Sequence, residues 1–315
     1  MLNAFVIRDQ RLTQTSAEGA NAPLEDAVWI DLYRPSDEER EWIETLYRQD
    51  FPEPDEVEEI EASARFFEDE EGLHLNSYFL QRADGRIRNA TIAFTLSSSR
   101  LFTLRDFESA SFRMFRLRAR REEGNIAEPM AILLALFETK VEELADFLEE
   151  VHTGLERIGT LVLEENDTEL EDAIDELGRY EDINGKIRLC LMDTQRALNF
   201  LLRRRRLSPE HAEQVREILR DIESLLPHST FLFEKVNFLM DAAQGFINIE
   251  QNQIIKIFSV VAVVFLPPTL IASIYGMNFH FMPELALKYG YPLSLVLMVC
   301  SAIAPYWYFK HRGWL

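Results

Sequence analysis

The sequence predicts an α+β domain, then a stalk of long helices, then two C-terminal helices that cross a membrane. Three observations carry that prediction. Short strand signals crowd the first 125 or so residues and stop near Glu128. Helical periodicity runs from there toward the C-terminal region. Finally, Ile257 to Phe279 reads IFSVVAVVFLPPTLIASIYGMNF, twenty-three residues without a formal charge, and a second uncharged run spans Tyr289 to Phe309.

In the first region, Ala4–Ile7, Ala27–Leu32, Leu73–Leu80, Thr91–Leu96 and Leu101–Leu104 read as short strands rich in β-branched and aromatic residues. Asp84-Gly85 lies between two of them and reads as a tight turn. Ser36-Asp37-Glu38-Glu39 opens a helix, with a hydroxyl cap and acids in the first turn. No catalytic constellation is visible. His74 is the only histidine of this region and sits on an alternating strand, so it reads as a packed or surface residue.

Residues 131–163 carry apolar positions at helical spacing, and a second helix is expected over about 168–206. Segment 164–182 holds ten acids and one base, Arg179. It reads most simply as a solvated face, the alternative being an acidic collar that gathers cations near a pore entrance. The run Arg203–Arg206 suits a helix C-terminus, and Ser208-Pro209 suits the start of the next helix. That helix is expected to continue from Pro209 into the first apolar run, with Pro227 the one candidate interruption.

At about 1.5 Å per helical residue the first apolar run measures roughly 34 Å, against a hydrocarbon core of about 30 Å. Lys256 flanks it, and Lys310 and Arg312 follow the second run. The positive-inside rule therefore places both ends of the pair in the cytoplasm. The connecting loop sets Lys288 against Glu284. Pro267-Pro268 removes helix donors from the carbonyls of Val263 and Val264, and a bend is expected there.

The chain has 315 residues and a formal charge of −21. Such an excess of acid disfavours nucleic acid as a partner and suits a protein that handles cations. The two cysteines, Cys190 and Cys300, lie in unlike segments, so no disulfide framework is expected. No nucleotide phosphate loop and no Cys/His metal spacing occurs. Catalysis and ATP-driven transport by this chain alone are accordingly disfavoured.

Counting back from the end of the first apolar run in steps of four and three gives Ser273, Thr269, Leu266, Ala262, Ser259, Ile255, Asn252, Asn248 and Asp241. This is a heptad stripe of polar residues broken by Ile and Leu. Small hydroxyl residues also pack between membrane helices, which accounts for Ser259 and Ser273 as readily. That alternative does not cover Asp241, Asn248 and Asn252 on the same line. The stripe reads as the lining of a narrow aqueous channel between parallel copies of the helix. Phe258, one position from Ser259, is an alternative constriction residue.

Tyr275-Gly276-Met277-Asn278-Phe279, with Met282-Pro283-Glu284-Leu285 and the basic tail Lys310–Leu315, resembles the CorA family of magnesium channels. Residues 61–69, EASARFFED, and 191–200, LMDTQRALNF, look like its enterobacterial branch. The resemblance covers the whole chain. It implies a funnel-shaped homopentamer in the cell inner membrane, with both termini cytoplasmic and Mg2+ as both transported and regulatory ion. The expected segments are a cytosolic α/β domain (1–125), a cytosolic helical stalk (126–253) and a first, pore-lining transmembrane helix (254–279). A periplasmic loop (280–290), a second transmembrane helix (291–309) and a cytoplasmic tail (310–315) follow.

The resemblance further implies that Gly276, Met277 and Asn278 form the outer selectivity site. Family pore positions fall on Asp241, Asn252, Ile255, Phe258, Leu266, Thr269 and Ser273, of which all but Phe258 lie on the stripe. Leu266 and Ser273 depart from the Met and Gly of other members. Glu284 would add negative potential at the mouth. Gly276 is expected to let the chain turn at the helix end. Family members close when cytosolic Mg2+ binds between subunits; the matching acids here are Glu217 and Asp221, one turn apart, with Asp84 of a neighbouring subunit as partner. Passage of Co2+ or Ni2+ is also expected. A proton-coupled zinc transporter with the same triplet is the alternative, and a non-conducting membrane scaffold is the alternative of a different class.

Overall fold

A computed structural model of the chain describes residues 1–8, 11–15, 24–48, 51, 65–83, 85–121, 128–164, 170–204, 207–280, 282–283 and 287–313. Two compact units emerge. One comprises Met1–Leu161 with Asp172–Leu239, the other Val162–Glu171 with Met240–Leu315.

Seven strands form one sheet in the first unit. They are β1 (Leu2–Arg8), β2 (Arg11–Thr15), β3 (Trp29–Tyr33), β4 (Phe66–Glu68), β5 (Leu73–Ala83), β6 (Arg86–Leu96) and β7 (Leu101–Arg105). The order is β2-β1-β3-β7-β6-β5-β4. Only β3 and β7 pair in parallel; the other neighbours are antiparallel. Five of the strands match the sequence expectation. The two missed ones, β2 and β4, are the sheet edges. In β2 only Leu12 is buried, so its pattern carries little apolar signal.

The hairpin between β5 and β6 closes Ala83 against Arg86. Gly85 takes a φ of 71°, the left-handed value that a two-residue hairpin turn requires. Helix α1 (Asp37–Tyr47) begins with a full capping box. Ser36 Oγ accepts from the Glu39 N–H, and the Glu39 carboxylate accepts from the Ser36 N–H. The amino terminus of Met1, 2.7 Å from Glu39, holds that carboxyl below its usual range.

Alternation decides which face each strand residue covers. Ala4, Ile30, Leu32 and Phe102 pack with Ile43 and the half-buried Trp42 and Tyr47 of α1. On other positions Phe5 stacks on Trp29 at 4.4 Å, and Phe79 and Phe94 meet Phe112 and Phe137. Phe112 lies on α2 (Ala110–Arg121), and Phe137 on α3 (Pro129–Glu164). Each ring buried this way contributes about 1.5–3 kcal/mol by transfer alone. The sheet also carries one enclosed ion pair. Arg105 Nε and Nη2 donate to the two carboxylate oxygens of Asp31 at 2.9 and 2.8 Å, and both side chains have no exposure.

Helix α4 (Leu170–Arg204) joins α3 and the sheet through a buried charge cluster. Asp193 accepts from Ser77 Oγ at 2.6 Å and from the Tyr78 N–H at 2.9 Å. Arg65 Nη2 lies 3.1 Å from the same carboxylate, and Lys140 Nζ, 4.0 Å from it, donates to Ser77 Oγ at 2.9 Å. Arg65 also covers the Tyr78 ring at 3.7 Å. Burial pushes the Lys140 ammonium down, despite the Asp193 charge beside it. The same burial pushes the neighbouring Cys190 thiol up to about 12. His74 takes the packed role expected of it, between Asp69 at 3.0 Å and Thr95 at 3.2 Å.

Helix α5 (Pro209–Tyr275) runs unbroken for 67 residues, about 100 Å at helical rise. Pro227 does not interrupt it. The carbonyl that loses its donor belongs to Glu223, an exposed position open to solvent. Pro267 and Pro268 also lie inside the helix without ending it. Helix α6 (Gly290–His311) completes the chain.

Asp193 is the carboxylate nearest to both enclosed cations, Arg65 and Lys140, among the described residues. Asp193→Asn keeps the shape and is expected to cost about 3 kcal/mol or more, since it strands buried charge. Thermal unfolding of the detergent-solubilised protein checks this against Asp182→Asn, an exposed acid paired only with Lys186. Equal midpoints for the two variants would contradict the assignment.

Candidate functional site

The expected channel residues all lie on α5 or just beyond its end. Asp241, Asn248, Asn252, Ser259, Ala262, Thr269 and Ser273 are exposed, as are Ile255 at 62%, Phe258 at 70% and Leu266 at 65%. A soluble core helix would bury such apolar side chains. Here Ile257, Val261, Val263, Phe265, Leu270 and Ile274 are exposed as well, and α6 exposes Leu293, Val296 and Ile303. Both helices are long and apolar enough to cross a membrane. The uncovered surface is consistent with lipid on some faces and further copies on others.

A strict heptad line on a straight α-helix drifts by roughly 20° per seven residues, so Asp241 and Thr269, four heptads apart, stand roughly 80° apart around the axis. The line faces a common centre only where parallel copies wind left-handedly about it. Two hydroxyls on it have a fixed sense. Ser259 Oγ donates to the Ile255 carbonyl at 2.8 Å, and Thr269 Oγ1 donates to the Phe265 carbonyl at 2.7 Å. Their protons are spent on their own helix, so only lone pairs face outward. Such a surface accepts hydrogen bonds and suits water that is itself bound to a cation.

Gly276 ends α5 without a left-handed turn. Its N–H donates to the Ala272 carbonyl at 2.9 Å, and the positive-φ glycines among the described residues are Gly72, Gly85 and Gly313. The chain does turn at Gly276, directly after the helix, but without a left-handed φ. What glycine supplies is clearance, because a Cβ there would stand 3.1 Å from the Ala272 oxygen. Met277 and Asn278 follow, exposed and outside regular structure.

Glu217 and Asp221 are exposed on one face of α5. Glu217 has a cation neighbour, Arg220, at 3.6 Å. Glu213 beside them is held below its usual range by Arg216 and Arg220. Asp84 and Glu284 lie outside the described residues. Among the described residues no group of three His, Cys, Asp or Glu side chains is placed to hold a metal ion. In segment 164–182, Leu170, Ala173 and Leu177 are buried while Glu171, Asp172 and Asp175 are exposed, the arrangement of a solvated helix face. Sequence reasoning stopped the stripe at Asp241. Phe238 and Phe231 continue its spacing and are 59% and 50% exposed, a signal that the 4-3 count alone would have found.

Comparison with known proteins places this arrangement. Residues 25–311 match the family described as CorA-like Mg2+ transporter protein. The chain is 54% identical over 320 residues to the magnesium transport protein CorA of Escherichia coli K12, covering all of both proteins. It is also 54% identical, over the same length and coverage, to the magnesium transport protein CorA of Salmonella typhimurium LT2. Among solved structures, the complete CorA magnesium transporter from Methanocaldococcus jannaschii matches with a TM-score of 0.75 at 20% identity, covering 100% of this chain and 99% of that one.

Proposed function

We infer the function from one premise: the chain belongs to the CorA family, and it is a magnesium transport protein. We propose that it is a Mg2+ channel built as a homopentamer in the cell inner membrane, with α5 lining the pore, both termini cytoplasmic and no nucleotide required. One observation carries the reading. A line of acceptor and small side chains, broken by Ile255 and Leu266, stays exposed along a single helix that ends beside Asn278.

The chemistry of the ion favours this lining. Mg2+ holds six waters in near-octahedral geometry and gives them up reluctantly. A cage of carboxylates would have to strip those waters, or would bind the ion too firmly to release it. Asn278 side-chain carbonyls, one from each copy, accept hydrogen bonds from the bound waters without displacing them. The outward lone pairs of Thr269 and Ser259 continue the same acceptor surface inward. Ile255 and Leu266, with Phe258 near the first, form apolar collars that stop conduction by excluding water when narrow. A divalent ion gains about 4.6 kcal/mol per 100 mV of membrane potential, which drives uptake without ATP. Hydrated Co2+ and Ni2+ are similar in size and charge and are expected to follow the same path.

Regulation is assigned to cytosolic Mg2+ held through its waters by Glu217 and Asp221 with Asp84 of a neighbouring copy. Acids from two subunits repel when the site is empty and are bridged when it fills, which favours one closed arrangement.

Asn278→Ala removes the acceptor ring and leaves the helix intact. Mg2+ uptake into vesicles is expected to fall by about tenfold or more, the scale of losing one or more well-placed hydrogen bonds. Normal uptake by a folded, inserted variant would contradict the selectivity role. For regulation, Glu217→Gln with Asp221→Asn is expected to keep current flowing at cytosolic Mg2+ levels that close the parent. Closure at an unchanged Mg2+ concentration would remove these acids from the sensor.

A further inference from the structure

Two histidines on different helices of the first unit share a place that magnesium transport does not use. His152 on α3 and His228 on α5 bring their rings to 5.7 Å between centroids, tilted by 41°. Nδ1 of His152 is buried and has no hydrogen-bond partner among the described residues. Its Nε2 lies 3.4 Å from Glu156 Oε1, one helical turn further along α3. On the other side His228 leans on Phe231, with ring centroids 6.3 Å apart. A polar nitrogen buried without a partner costs stability, so an imidazole left in this state beside a second imidazole calls for a ligand.

We propose that His152 and His228 form a binding site for a divalent transition-metal ion of the Ni2+, Co2+ or Zn2+ class. Imidazole nitrogens bind such ions at about 2.1 Å, which sets the centroids of two rings on one ion roughly 5 Å apart, close to the separation present. The Glu156 carboxylate beside Nε2 favours the proton on that nitrogen. The Nδ1 lone pair is then free for the ion, the arrangement of a carboxylate–histidine–metal relay. No third His, Cys, Asp or Glu among the described residues completes a metal-binding group with them, so water fills the remaining positions. Nitrogen ligands exclude Mg2+ as the occupant, because that hard ion takes oxygen. An ion held here ties α3 to α5 at a place that Mg2+ does not occupy. The site depends neither on the pore assignment nor on the regulatory acids.

Ni2+ binding to the full-length, detergent-solubilised protein, measured by titration calorimetry with Mg2+ in large excess, tests the proposal. The parent is expected to bind one Ni2+ per chain and to gain thermal stability as it does. His152→Gln and His228→Gln are each expected to weaken that binding by about tenfold or more, the scale set by loss of metal-ligand support. His311→Gln, at the far end of α6, should leave it unchanged. Size-exclusion elution and the unfolding midpoint without metal report whether each variant is folded. The proposal is overturned if the parent takes up no Ni2+ in the presence of Mg2+, or if either folded glutamine variant binds as the parent does.

Discussion

A helix that cannot cover its own apolar surface governs the rest of this molecule. Over its last twenty or so residues α5 exposes Phe258, Val261, Phe265, Leu266 and Leu270 to whatever surrounds the chain. In water that surface would drive aggregation; in hydrocarbon its backbone is already satisfied, because every helix bond is internal. The same helix carries Ser259, Ala262, Thr269 and Ser273, small and hydroxyl side chains that pack more readily against other helices than against lipid. One surface cannot face lipid with both sets. The conflict is resolved when copies of the helix turn the polar line toward each other and leave the apolar remainder outside. On the channel reading proposed above, a water-filled path runs along the shared axis, and the family is one of magnesium transporters.

The first unit answers a different requirement, which is rigidity. Its sheet is clamped by Asp31 with Arg105 at the centre and by Asp193 with Arg65 and Lys140 against α3 and α4. Enclosed charges add little net stability relative to apolar packing, yet they tolerate only one arrangement of their partners. Glu143 contributes similarly by accepting from the Ser111 N–H at the start of α2, while burial raises its own carboxyl above the usual range. Aromatic contacts from Trp29 to Phe137 fill the space between. Such a body is suited to holding residues 209–239 of α5 in a definite place.

Local pattern made most of this legible in advance. The capping box at Ser36, the turn at Gly85, five strands and the long helices follow from residues close together in sequence. That the polar line lies exposed along one helix was legible because a helix converts a 4-3 count directly into a face. The missing parts depend on distant partners. Edge strands β2 and β4 form because a neighbour offers hydrogen bonds, and their side chains say little about it. Asp31 and Arg105 are 74 positions apart. Nor does the sequence around Gly276 reveal how closely the Ala272 carbonyl approaches it at the helix end.

The central claim is that one face of α5 meets water inside the membrane while the others meet lipid. Cysteine accessibility tests it most directly. Cys300 is replaced by serine, and Cys190 is buried with its thiol pushed up to about 12, so neither reacts. Single cysteines are then placed at Ala262, Leu266, Thr269 and Ser273 on the line, and at Val261, Val263, Leu270 and Ile274 off it. In membranes exposed to a charged, water-soluble thiol reagent, the four line positions are expected to react and the four others to stay unmodified. Equal modification of both sets, or reaction confined to the second, would contradict a pore along this face.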